Sequence, residues 1–226
     1  MIFLAVTGIA IVLAASSSCS KDSDDDTTIV AGTFNDPRDG TVYKTLKIGN
    51  QTWMAENLKY LPSVVGSGSG SQTDPYYYVF GYQGTSVSEA KANANYATYG
   101  VLYNWPAAMI ACPAGWHLPG DAEWSQLMDH LGGQDIAGGK LKESGTTHWN
   151  DPNTGATNET GFSSLPGGYL NGDAEFLYTG SNGYWWSSTE FGSSAAWGRG
   201  MYYKSEAVSR DASYKSYGFS VVCVKD

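Results

Sequence analysis

Residues 183–203 read GYWWSSTEFGSSAAWGRGMYY, three tryptophans and three tyrosines set among small residues. Either these rings fill the interior of a sheet or they form a platform that faces water. Successive side chains of a strand point to opposite faces. Trp185 and Trp186 therefore split, one inward and one outward, or both are covered by other parts of the chain. Working outward, the runs at 161–170, 175–180, 195–203 and 217–226 are short and strand-like, broken by Gly, Asn and Ser. No further long helix is expected after Leu141.

Upstream, 99–133 reads YGVLYNWPAAMIACPAGWHLPGDAEWSQLMDHLGG. Trp124, Leu127, Met128 and Leu131 recur at i, i+3, i+4 and i+7, one face of a helix. Gly120 precedes Glu123 by three residues in a capping-box arrangement, and Gly132-Gly133 ends the helix. Near the start, TVYKTLKIGNQTWMAENL predicts a hairpin: a strand over 42–48, a turn at Gly49-Asn50 and a return over 51–54. The run 63–75 is a Gly/Ser-rich loop with neither a nucleophile elbow nor a phosphate loop. Residues 75–84 are a strand or an aromatic loop, and 86–97 suit a short helix.

The chain has 226 residues, with 42% hydrophobic and 15% charged content, enough for one ordinary or two small globular domains. Its 28 Gly and 16 Tyr favour short strands and tight turns. A net charge of -9 argues against a nucleic-acid partner.

The apolar run 1–15 is short for a membrane span and reads as the hydrophobic region of a secretory signal. Cys19 follows small residues. It is either incidental to a nearby cleavage site or the lipidated cysteine of a lipobox, and the second reading is preferred. The acidic SKDSDDDTT that follows cannot fold alone and reads as a solvated tether. The organisation expected is signal 1–18, tether 19–31 and a single domain 32–226. In an exported chain Cys112 and Cys223 form a disulfide or remain two buried thiols; the first is favoured, and closing so long a loop contributes on the order of 4 kcal/mol.

Several phrases taken together resemble the Fibrobacter succinogenes major paralogous domain. They are DGTVYKTLKIGNQTWMAENLKY, YGVLYNW, ACPAGWHLPGDAEWSQLMDHLGG, GFSSLPGGY, GYWWSSTE and GFSVVCVKD, in the family's order over about 32–226. That family is frequent in surface proteins of Fibrobacter and Bacteroidetes and is similar to the C-type-lectin-like superfamily with its formylglycine-generating branch. The resemblance implies an α+β, C-type-lectin-like fold: a looped, mixed antiparallel sheet, one or two packed helices and adjacent chain ends. The Lys-Asp-rich stretch after Cys19 separately resembles the lipoprotein export signal of Bacteroidetes, which implies an outer-membrane lipoprotein exposed at the cell surface. The segment 60–99 departs from the pattern, lacking the cysteine pair many members carry there.

Candidate chemistry is sparse. The formylglycine-generating branch uses a cysteine pair near its C-terminal end, where this chain has only Cys223. His117, His130 and His148 show no metal-ligand spacing. His117 reads as a satisfied, partly buried histidine, and Asp173 and Glu175 as loop acids. Asn150 and Asp151 follow Trp149 as in the calcium motif of sugar-binding lectins; the alternative is an Asp-Pro turn behind a buried Trp. Trp197, Arg199, Tyr202, Tyr203 and Tyr214, with Arg210, lie where lectin-like folds place an exposed recognition surface. They are either adaptable contacts or packing over the core. The function expected is a non-catalytic binding or adhesion module for a surface glycan or protein. A structural subunit of a surface appendage and a hydrolytic or modifying enzyme on the same fold are the alternatives.

Overall fold

A computed structural model describes residues 29–226. The signal, Cys19 and most of the tether lie outside the described residues. The strands are β1 (Val30–Asn35), β2 (Val42–Ile48), β3 (Gln51–Met54), β4 (Tyr77–Tyr78), β5 (Leu102–Tyr103), β6 (Trp116–His117), β7 (Tyr169–Leu170), β8 (Phe176–Leu177), β9 (Asn182–Phe191), β10 (Ala195–Tyr202), β11 (Val208–Tyr214) and β12 (Val224–Lys225). The helices are α1 (Val87–Lys91), α2 (Ala94–Tyr99), α3 (Trp105–Ala108), α4 (Asp121–His130) and α5 (Gln134–Leu141). The architecture is α+β. One sheet runs β1-β2-β3-β12-β6 and a second β11-β10-β9, and two-stranded pairs β4-β5 and β7-β8 complete it. Every ladder is antiparallel; parallel pairing is confined to isolated bridges such as Trp185↔Ser220.

The first hairpin forms with the predicted bounds. Ile48 pairs with Gln51 across Gly49, whose φ of 55° suits a residue without a Cβ. β1 begins at Val30, inside the stretch read as tether, and pairs with β2. The last strand, β12, sits between β3 and β6, so the first and last strands share one sheet.

Two apolar cores lie on opposite sides of these strands, and adjacent residues alternate between them. Val221 and Cys223 belong to the first core, Val222 and Val224 to the second. Met54 and Trp53 divide in the same way, as do Trp186 and Trp185. The doublet therefore has no outward member: β9 is covered on both faces, and both rings are buried. Trp186 stacks on Phe219 at 4.3 Å, and its indole N–H donates to the Tyr103 carbonyl at 2.7 Å. Trp185 donates to Asn57 Oδ1 at 2.8 Å. The first core also holds the Cys112–Cys223 disulfide, which closes a separation of 111 residues.

In α4, Trp124, Leu127 and Met128 point into the second core. Gly120 has no side chain to complete a capping box, but its N–H donates to Glu123 at 2.7 Å, so half of the box is made. Helix α5 does not follow from apolar spacing, because Gly138 and Gly139 interrupt it. Packing explains them: a Cβ at Gly139 would meet the Gly155 carbonyl, and one at Gly138 the Ala207 carbonyl at 2.7 Å. Lys142 follows, fully buried. Its ammonium donates to the carbonyls of Thr154, Tyr202 and Ser205 at 2.9, 3.1 and 2.8 Å.

Candidate binding surface

The aromatic stretch becomes the hairpin β9–β10, with Gly192 at φ 74° in its turn. The ladder shifts register between Ala196 and Gly198, so β9 carries extra residues, Ser187 to Thr189, opposite Trp197. This bulge docks on the start of α4. Ser188 N–H donates to the Pro119 carbonyl at 3.0 Å, and Asp121 N–H donates to Thr189 Oγ1 at 3.0 Å. Beyond the bulge one face still reaches the first core through Ala196, while Phe191 on the other face is exposed.

Alternation then sorts the candidate residues. Phe191, Ala195, Trp197, Arg199, Arg210, Ala212 and Tyr214 share one face through the pairs Ala195↔Phe191, Ala195↔Tyr214, Trp197↔Ala212 and Arg199↔Arg210. Arg199 is 3% exposed beneath the N-terminus of α4 and donates to Asp121 at 2.8 Å. Arg210 donates to both Asp121 oxygens at 2.8 and 3.0 Å, and its guanidinium lies 3.4 Å over the Trp197 ring. Hydrogen bonds from Arg210, then from Arg199, hold the Asp121 carboxyl below its ordinary range despite partial burial. Phe191 meets the Trp197 ring edge-on at 4.7 Å. Trp197 is thus a clamped strut, not a free platform.

Tyr202 lies on the opposite face, its hydroxyl 2.8 Å from Ser209 Oγ. Tyr203 lies past the end of β10 and packs against the second core. Arg199, Tyr202 and Tyr203 are therefore structural in position, whereas Tyr214 and the unforeseen Phe191 stand 55% and 53% exposed. Between them runs a groove of about 390 Å³, floored by Ala195 and Ala212 and closed by Tyr217. Sequence reasoning misses Phe191 because its exposure depends on the bulge.

The remaining candidates scatter. His117 bridges Asp226 and Glu123 at 2.7 and 2.8 Å; burial opposes its charge, but those two carboxylates outweigh it and raise its pKa. His148 sits on Glu143 at 2.9 Å. Asp173 and Glu175 belong to a turn in which both backbone N–H groups donate to Asn171 Oδ1. Trp149 is buried, Asn150 donates to Ser181 Oγ at 3.0 Å, and Asp151 is exposed before a cis proline. Among the described residues no three His, Cys, Asp or Glu side chains gather to hold a metal ion. Burial pushes the Lys142 pKa down to about 8, a mark of some catalytic lysines, yet its three hydrogen bonds all end on backbone carbonyls.

Comparison with protein-family models matches residues 46–225 to the Fibrobacter succinogenes major domain. No curated protein and no solved structure matches the chain.

Proposed function

Because the chain belongs to the Fibrobacter succinogenes major domain family, we propose that it is a non-catalytic binding module of the cell surface. Its ligand is a glycan or a protein. Lipidated Cys19 anchors it in the outer membrane, and the acidic run beyond carries the domain clear of the bilayer. The C-type-lectin-like fold belongs to this proposal, as does the use of the sheet before the last strand for recognition.

One observation supports the reading above the others. The molecule buries Trp53, Trp124, Trp149, Trp185 and Trp186, yet leaves Phe191 and Tyr214 open beside a groove. Rigid rings flanked by serines make contact area at low entropic cost, and the apolar face of a sugar ring or an aliphatic side chain can lie against them. The test is a glycan array and a surface-protein binding screen with the full chain, in calcium and in chelator. Binding that disappears in Phe191→Ala/Tyr214→Ala, with an unchanged melting curve, is the expected result. Ligands held equally by that variant would sink the assignment of the groove. Self-association abolished by the same changes would instead make the chain an appendage subunit. Loss on chelation would revive Asn150 and Asp151 as calcium candidates, to be checked by their alanine variants.

A further inference from the structure

A second concavity lies apart from the aromatic groove. It is a cleft of about 160 Å³ bounded by the segment after β3, by α2, by Glu143 and by residues 162–165. Ala55, Phe162 and Leu165 give it an apolar wall; Glu56, Lys59 and Thr98 are polar groups on its border. A closed apolar cavity of about 150 Å³ holds a benzene ring; this cleft is open on one side, so a sugar ring enters it only with its substituents projecting outward.

One lining group is not explained by the fold. Ser164 is 4% exposed, and its Oγ has no hydrogen-bond partner among the described residues. Its backbone is fully used: the N–H donates to the Leu141 carbonyl at 2.9 Å, and its own carbonyl accepts from Glu143 N–H at 3.1 Å and Trp149 Nε1 at 2.9 Å. The residue is held firmly while its hydroxyl is left over. A buried hydroxyl without a partner is destabilising, so alanine would serve the fold better.

The neighbouring groups divide into spent and available. Asn57 is half-used, donating one amide hydrogen to the Tyr99 carbonyl and accepting from Trp185 at Oδ1. Glu143 is turned to His148. Lys59 donates to the Ala97 carbonyl at 2.9 Å and keeps further donors. Glu56 Oε2 accepts from Lys44 N–H at 2.6 Å, leaving Oε1. What remains is one hydroxyl, one carboxylate oxygen, one amide hydrogen and ammonium hydrogens beside an apolar wall, with the charges of Glu56 and Lys59 opposed. A neutral pyranose has the complementary form, a C–H face and adjacent hydroxyls that both donate and accept.

We propose that this cleft is a subsite for a single neutral sugar residue, oriented by Ser164, Glu56 and Lys59. It rests on the glycan reading for its ligand class, not on the groove. The test is amide NMR of the full chain titrated with the methyl glycosides of glucose, galactose, mannose and N-acetylglucosamine. At least one should shift the Ser164, Asn57 and Glu143 resonances, whether or not Phe191 and Tyr214 also respond. Ser164→Ala should melt no lower than the parent and bind about tenfold more weakly. Glu56→Gln, a second variant on the exposed side, should also weaken binding. Phe191→Ala/Tyr214→Ala should leave the shifts of Ser164, Asn57 and Glu143 unchanged, since neither ring lines the cleft. The proposal is overturned if none of the glycosides perturbs the cleft, or if Ser164→Ala binds as the parent does. Array binding at the groove without any cleft titration sinks this subsite alone; the converse sinks the groove alone.

Discussion

The two ends of the hairpin β9–β10 are built from the same residue types and do opposite things. At one end Trp185 and Trp186 are buried on opposite faces, because α4 and α5 cover one side and the disulfide-bearing core the other. At the other end, past the bulge at Ser187–Thr189, Phe191 and Tyr214 stand in water and Trp197 is propped by Arg210. An aromatic residue is therefore core or surface according to what is layered over its strand, not according to its own polarity.

The largest expected effect lies at the covered end. Trp186→Ala should lower stability by about 3–5 kcal/mol in urea titration, since it empties a packed site and removes one of the two donors to the Tyr103 carbonyl, leaving only Phe219 N–H. A loss no greater than that of Tyr214→Ala would erase the distinction. Next comes the junction of the two ends. Asp121→Ala strips the partner from buried Arg199 and from Arg210, and should cost about 2 kcal/mol; this is less than for a fully buried pair, because Asp121 is 22% exposed. Folding lowers this carboxyl's pKa from its ordinary 3.8. Its contribution is therefore full above that value and is lost as pH falls through the folded value. Acid titration of the variant should lack that component.

His117 gives a smaller effect of opposite sign. Its pKa rises on folding from the ordinary 6.5, so the tie to Asp226 and Glu123 is full below that value and fades as pH rises through the folded one. The side chain is 42% exposed, which keeps its contribution within about 1 kcal/mol. His117→Gln should flatten the stability profile across that window. Smallest of all, Phe191→Ala and Tyr214→Ala should each shift stability by no more than about 0.5 kcal/mol while abolishing ligand retention. A large loss of stability there would mean that the open end is core after all.

Local rules carried the early elements. The strand-turn-strand at 42–54 was legible because alternation and a Gly-Asn turn agree, and α4 because its apolar spacing and glycine stops agree. Strand β11 was not legible: VSRDASY lacks apolar alternation and is a strand only because β10 pairs with it. Helix α5 was hidden by two glycines whose purpose is contact with distant backbone. For the candidate surface, the sequence named Tyr214, which the fold leaves exposed, together with Arg199, which it buries, and Tyr202 and Tyr203, which it half-buries; it did not name the exposed Phe191.

By itself the sequence determined what short-range physics governs: the first hairpin, helix α4, an aromatic strand pair near the C-terminus and two cysteines suited to pair. Only the tertiary structure decided which rings face water, that Ser164 is buried with its hydroxyl left over, and that Asp121 joins two arginines. Those facts depend on layers brought together across long stretches of chain, as the 111-residue separation of Cys112 and Cys223 illustrates. Alternation along a strand names two faces; it does not say what will cover either one.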